Sequence, residues 1–134
     1  MNSWKYVKPL KNPFAVREFV KKYNVNLPDE LISIIEQYNG GRPPIKQILT
    51  STQKKYVFKS LLSYNEDDKE TIYSIYPELF KETDLFPFAS DAAGNLVCYN
   101  QSTQKYVLLN HETDKEEDII DLAIFKEETN NEGI

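Results

Sequence analysis

The sequence predicts an α+β fold, with helices opening the chain and an antiparallel meander in its second half. Two helix-period segments follow prolines near positions 13 and 28, and three short strand-like runs after residue 85 are separated by turn residues. A chain of 134 residues that is 40% hydrophobic and 13% aromatic supports one core, so residues 1–134 are expected to form a single domain.

Asn12 and Pro13 mark the first helix start, because an Asn side chain can accept from a free N–H and proline lacks a donor that would go unused there. Val16, Phe19, Val20 and Tyr23 then share a face, and the helix is expected to end near Asn24. Pro28 opens the second helix, with Asp29 and Glu30 against the positive end of its dipole and Leu31, Ile32, Ile34, Ile35 and Tyr38 as the buried stripe. Asn39, Gly40 and Gly41 stop it, and Pro43 and Pro44 prevent its resumption.

Within residues 45–65 the alternation of Tyr56, Phe58 and Ser60 with Val57, Lys59 and Leu61 suits a strand, but apolar residues on both faces leave its inward side open. The run NEDDKETIYSIYPELFKE reads as a third helix with an acidic start, kinked or split by Pro77 near Tyr76. Residues 86–89, 95–100 and 105–110 are the meander, joined by SDAAG and QSTQ. The segment from Ile119 to Phe125 is expected to be an edge strand leading into a short helix, with residues from about 129 to 134 frayed.

The stretch FPFASDAAGNLVCYN holds the single cysteine, Cys98, with Asp91, Gly94 and Asn95. Asp and Asn bond their own backbone in turns and glycine accepts a positive φ, so this reads as a turn between strands before it reads as a catalytic Asp91. Cys98 alternates with Val97 and Tyr99 and is expected to be a buried thiol. His111, the sole histidine, stands beside Glu112, where a surface hydrogen bond is the plainer role. No GxSxG, HExxH, phosphate loop or CxxC is present, which argues against catalytic, metal and cofactor sites; an enzyme built on Asp91 and His111 is the weakest of three functional readings. No apolar run is long enough to cross a membrane and no signal-peptide pattern opens the chain, so a cytoplasmic protein is expected.

Charge is divided along the chain. Residues 1–60 carry 11 Lys/Arg against 4 Asp/Glu, and residues 61–134 carry 5 against 17, so the two parts stand at +7 and −12. Acidic surface repels phosphates and attracts basic proteins, which disfavours direct nucleic-acid binding by the second part.

The pairing of LPDELISIIEQYNGG with FASDAAGNLVCYN, closed by IIDLAIFKEE, resembles the SUKH superfamily of Smi/Knr-like proteins over nearly the whole chain. The matching positions are Leu27, Pro28, Tyr38, Asn39, Gly40 and Gly41, then Phe88, Ala89, Asp91, Gly94, Asn95, Cys98 and Tyr99. NHETDK and LAIFKEETNNEGI are shorter than the family's usual segments and lack its tryptophan. The resemblance implies an antiparallel sheet of about four to six strands flanked by N-terminal helices and one central helix, and no catalysis. It also implies an immunity protein that neutralises a cognate toxin, often a nuclease, with a regulatory protein-interaction scaffold as the alternative.

A nuclease must present basic surface to phosphates, so the contact residues expected here are acidic: Asp67, Asp68 and Glu70 at the third helix, and Glu112, Asp114, Glu116, Glu117 and Asp118 near the last turn. Exposed tyrosines among the nine present are expected to anchor the partner. Oligomeric state is left open, with self-pairing through the sheet edge one route.

Overall fold

Asn12 and Pro13 form a turn ahead of the first helix instead of its first residues. The Asn12 carboxamide oxygen accepts from Phe14 N–H at 3.0 Å and its nitrogen donates to Glu18 at 2.9 Å. Helix α1 therefore runs Ala15–Lys22, in a computed structural model that describes residues 4–125. Val16 and Phe19 are its buried stripe, and Asn24, at φ +54°, turns the chain away from the helix. Helix α2 spans Asp29–Gln37, with Pro28 as its extended N-cap, one place earlier than a first helical residue. Leu31 and Ile35 are fully buried while Ile32, Ile34 and Tyr38 are half-buried, so the stripe narrows to one residue per turn.

Strand β1, Gln47–Thr50, is absent from the sequence-based reading, because four residues are too few to show a period. It pairs antiparallel with β2, Lys55–Leu61, and this hairpin settles the open question of facing: Phe58 is 1% exposed and Val57 54%. Helix α3, Ile72–Leu79, is continuous through Pro77. The missing N–H falls two residues before the helix ends, where little of the hydrogen-bond ladder remains to be broken. Its N-cap is Thr71, whose hydroxyl accepts from Ser74 N–H at 3.3 Å, so Asp67, Asp68 and Glu70 lie in the loop before the helix and not in its first turn.

The meander forms as predicted: β3 is Leu85–Asp91, β4 Leu96–Asn100 and β5 Lys105–Leu109. The last strand, β6 at Glu116–Leu122, is followed by a short 3-10 turn at Ala123–Phe125. It is no edge. β6 pairs with β5, setting Leu108 opposite Glu117, and with β1, setting Ile48 opposite Leu122, which closes six antiparallel strands into a barrel. Closure leaves no free edge among these strands, and self-pairing through one is thereby removed. The expected fraying of residues 129–134 lies outside the described residues.

The helices close on the sheet through rings. Phe19 meets Tyr73 and Tyr76 of α3 at centroid distances of 5.7 and 5.5 Å, and Phe86 of β3 at 6.3 Å. Such tilted and edge-on pairs add to burial by about 0.5–1.5 kcal/mol each.

Candidate protein-binding surfaces

In an up-and-down barrel every second turn falls at the same end. The β1–β2, β3–β4 and β5–β6 turns share one end, and the loop carrying residues 67–70 leaves β2 at the other. Six steps of about 3.3 Å put the two ends of β2 roughly 20 Å apart. The eight acidic residues expected to act together are thus two separate groups.

The group in the loop before α3 is already paired. Lys11 and Asp67 form an exposed ion pair, and the hydrogen bond from Lys11, then a backbone hydrogen bond and the Lys11 charge, hold the Asp67 carboxyl below the usual carboxylate range. Lys59 bonds Glu70 at 3.0 Å, and the Ser63 hydroxyl donates to Asp68. These carboxylates border a cavity of about 540 Å³ whose wall also holds Lys8, Arg42, Lys59 and Lys69. The Arg42 guanidinium carbon lies 5.1 Å from the centre of the Tyr6 ring. None of these basic neighbours was signalled by pattern, because they arrive from the N-terminal segment, the loop after α2, strand β2 and the loop before α3.

The group at the β5–β6 turn is more open. Residues 110–121 hold six carboxylates and one lysine, and Glu112, Asp114 and Glu116 are exposed with no ion-pair partner among the described residues. Asn110 builds the turn by accepting from the N–H groups of Glu112 and Thr113 at 2.8 and 3.2 Å. Asp118 stands 3.6 Å from Lys105. Glu117 accepts from the Thr52 hydroxyl at 2.7 Å and the Tyr56 hydroxyl at 3.2 Å, tying β6 to the β1–β2 hairpin.

The Thr52 bond is the chief reason that the Glu117 pKa lies below its ordinary 4.5, against an opposing desolvation effect. A carboxyl depressed on folding contributes stability above its unfolded pKa and loses it as pH falls through the lower folded value. Thr52→Ala should therefore raise the Glu117 midpoint toward the ordinary range. A carboxyl-carbon NMR titration of both proteins checks this, and an unmoved midpoint would assign the depression elsewhere.

The motif residues are held by their own neighbours. Asp91 is 2% exposed and accepts from Ala93 N–H at 3.0 Å, Asn95 N–H at 2.7 Å and the Asn95 carboxamide at 2.9 Å. Gly94, at φ +90°, makes the turn that allows this. Asn95 in turn accepts from His111 N–H at 3.0 Å, so His111 serves this cluster through its backbone. Cys98 is fully buried and burial pushes its thiol pKa far up, which disfavours the reactive thiolate. At the other motif, Tyr38 stacks on Trp4 with centroids 4.4 Å apart, and a side chain at Gly41 would sit 2.8 Å from the Tyr38 carbonyl oxygen. Tyr99 lies against Tyr106 at 5.3 Å. Of the nine tyrosines only Tyr6 is exposed, at the end away from the acidic turn, so the expected aromatic anchors are absent from that turn.

The family model SUKH_6, described as SMI1-KNR4 cell-wall, matches residues 15–124. The chain belongs to the SUKH superfamily. The match takes in α1 through β6 and both motif clusters. No curated protein matches the chain, and no solved structure does. The SUKH family is not known as an enzyme family and suggests a protein as partner. Among the described residues no group of His, Cys, Asp and Glu is placed to hold a metal ion, and no helix is long and apolar enough to cross a membrane.

Proposed function

We propose that this SUKH protein is a non-catalytic immunity protein that binds a basic toxin domain, most readily a nuclease, through the β5–β6 turn and the start of β6. The carrying observation is the exposed carboxylate group of Glu112, Asp114 and Glu116, projecting from a closed barrel with no ion-pair partner among the described residues. Nearby exposed Ile120 on β6 and Val57 on β2 supply apolar area. Like charges on a rigid turn steer a basic partner and raise its association rate, while packed apolar contacts slow its departure. A toxin so covered cannot reach phosphate. The binding reading places the chain in the cytoplasm, where a nuclease toxin meets its substrate.

The test begins with a partner purified with the chain from its native host. Expression of that partner alone should be toxic, and co-expression of this chain should relieve the toxicity. The triple variant Glu112→Lys, Asp114→Lys, Glu116→Lys should slow association at least about tenfold at low salt, and the difference should shrink at high salt. A harmless partner, or an association rate unchanged by the triple variant, would overturn the reading.

A further inference from the structure

The cavity at the opposite end of the barrel has the wrong charge for the same partner. Its wall carries four cations, Lys8, Arg42, Lys59 and Lys69, against three carboxylates, Asp67, Asp68 and Glu70, a surplus of one positive charge. The carboxylates are engaged: Asp67 with Lys11, Glu70 with Lys59 and Asp68 with the Ser63 hydroxyl. Arg42, Lys8 and Lys69 have no ion-pair partner among the described residues. The unused binding capacity is therefore cationic, although the loop was expected to be acidic.

Tyr6 sets the other half of the chemistry. It is 68% exposed and holds φ +59°, a conformation that a bulky residue adopts only under constraint. The constraint is visible: Lys5, the residue before it, exchanges two backbone hydrogen bonds with Arg42 at 2.9 and 2.8 Å, and the Tyr6 ring lies over the guanidinium. A flat apolar face thus stands beside a planar donor at the cavity wall, with Leu61 also lining it.

We propose that this cavity binds a singly charged carboxylate joined to an apolar body, with Arg42 and Lys69 holding the carboxylate and Tyr6 packing on the apolar part. With Lys11 on Asp67 and Lys59 on Glu70, the wall keeps three unpaired cations, Lys8, Arg42 and Lys69, against the one carboxylate of Asp68, a small surplus that suits a carboxylate better than a polyphosphate. The volume of about 540 Å³ is in the range of small-ligand sites, about 300–1,000 Å³. The carboxylate belongs either to a small organic acid or to the C-terminal residue of a peptide. This site is independent of the acidic turn, roughly 20 Å away along β2, and stands or falls without it.

The experiment is an amide NMR titration of the full chain with four probes: N-acetylphenylalanine, its primary amide, an N-acetylated tetrapeptide ending in phenylalanine with a free carboxylate, and inorganic phosphate. The free acid should shift the amides of Arg42 and Ser63 saturably, and the amide should bind at least about tenfold more weakly. A tetrapeptide that binds more tightly than the acid assigns the site to peptide C-termini, and equal binding assigns it to small acids. Arg42→Gln and Lys69→Gln should each weaken the acid about fivefold or more with the remaining spectrum unchanged. Lys69, exposed and without an ion-pair partner among the described residues, keeps the test decisive should the Arg42 variant unfold. No saturable binding by either free carboxylate, equal binding of the amide or of phosphate, or indifference to Lys69→Gln would overturn the proposal.

Discussion

Asn39→Ala should lower the unfolding free energy by about 3 kcal/mol, because three hydrogen bonds, two of them fully buried, end on this one buried side chain. Asn39 is 0% exposed; its nitrogen donates to the Lys8 carbonyl at 2.8 Å and the Ser63 hydroxyl at 3.0 Å, and its oxygen accepts from Tyr64 N–H at 2.8 Å. Alanine leaves the buried Tyr64 N–H without its acceptor, at about 1–3 kcal/mol for the unsatisfied group before relaxation, and strips one bond each from the Ser63 hydroxyl and the Lys8 carbonyl, which keep Asp68 and Asn65. The N-terminal segment should loosen first, since Lys8 also donates its own N–H to the Asn39 carbonyl at 2.8 Å. Trp4 reports it: the only tryptophan is stacked on Tyr38, next to Asn39, and its emission should change in the variant before denaturant is added. Urea unfolding measures the stability. A loss under about 1 kcal/mol, with unchanged emission, would show that Asn39 is not the clamp.

Asp91→Ala should cost about 3 kcal/mol for a related reason at the other end of the barrel. The carboxylate gathers two backbone N–H groups and the Asn95 carboxamide in a site that is almost closed to water. Removing it frees Asn95, and through Asn95 the N–H of His111 at the root of the β5–β6 turn. Partner binding should therefore weaken although Asp91 itself is covered. Asp91→Asn separates the two effects, because it keeps one acceptor oxygen for the backbone N–H groups while setting an NH2 against that of Asn95. It should retain most of the turn and lose roughly half as much stability, about 1–2 kcal/mol. Thermal unfolding and amide exchange at Asn95 and His111 check both variants; an Asp91→Ala protein as stable as the parent would refute the assignment.

The two motif clusters show how far local pattern reaches. Asp-x-x-Gly-Asn was legible as a turn, since short polar side chains bonding nearby backbone need only neighbours in sequence. Its link to His111 was not, because that bond joins residues 16 positions apart. Tyr-Asn-Gly-Gly was legible as a helix stop, whereas the part Asn39 plays in fastening Lys8 and Tyr64 needs segments 31 and 25 positions away. The acidic loop is the sharpest divergence. Asp67, Asp68 and Glu70 were read as free charge at a helix start, and the fold instead delivers Lys11 from 56 positions away and Lys59 from 11.

By itself the sequence determined the α+β class, the three helices, the β3–β5 meander and the excess of acid in the second part, because helix period, strand alternation, turn residues and charge counts are local or additive quantities. Only the tertiary structure decided that β6 meets β1 and closes a barrel, that one acidic group is neutralised while the other stays open, and that a cavity with surplus cations forms beside Tyr6. Each of these depends on which distant segments share a strand pair or a wall, and a pairing of that kind leaves no periodic trace in the residues that make it.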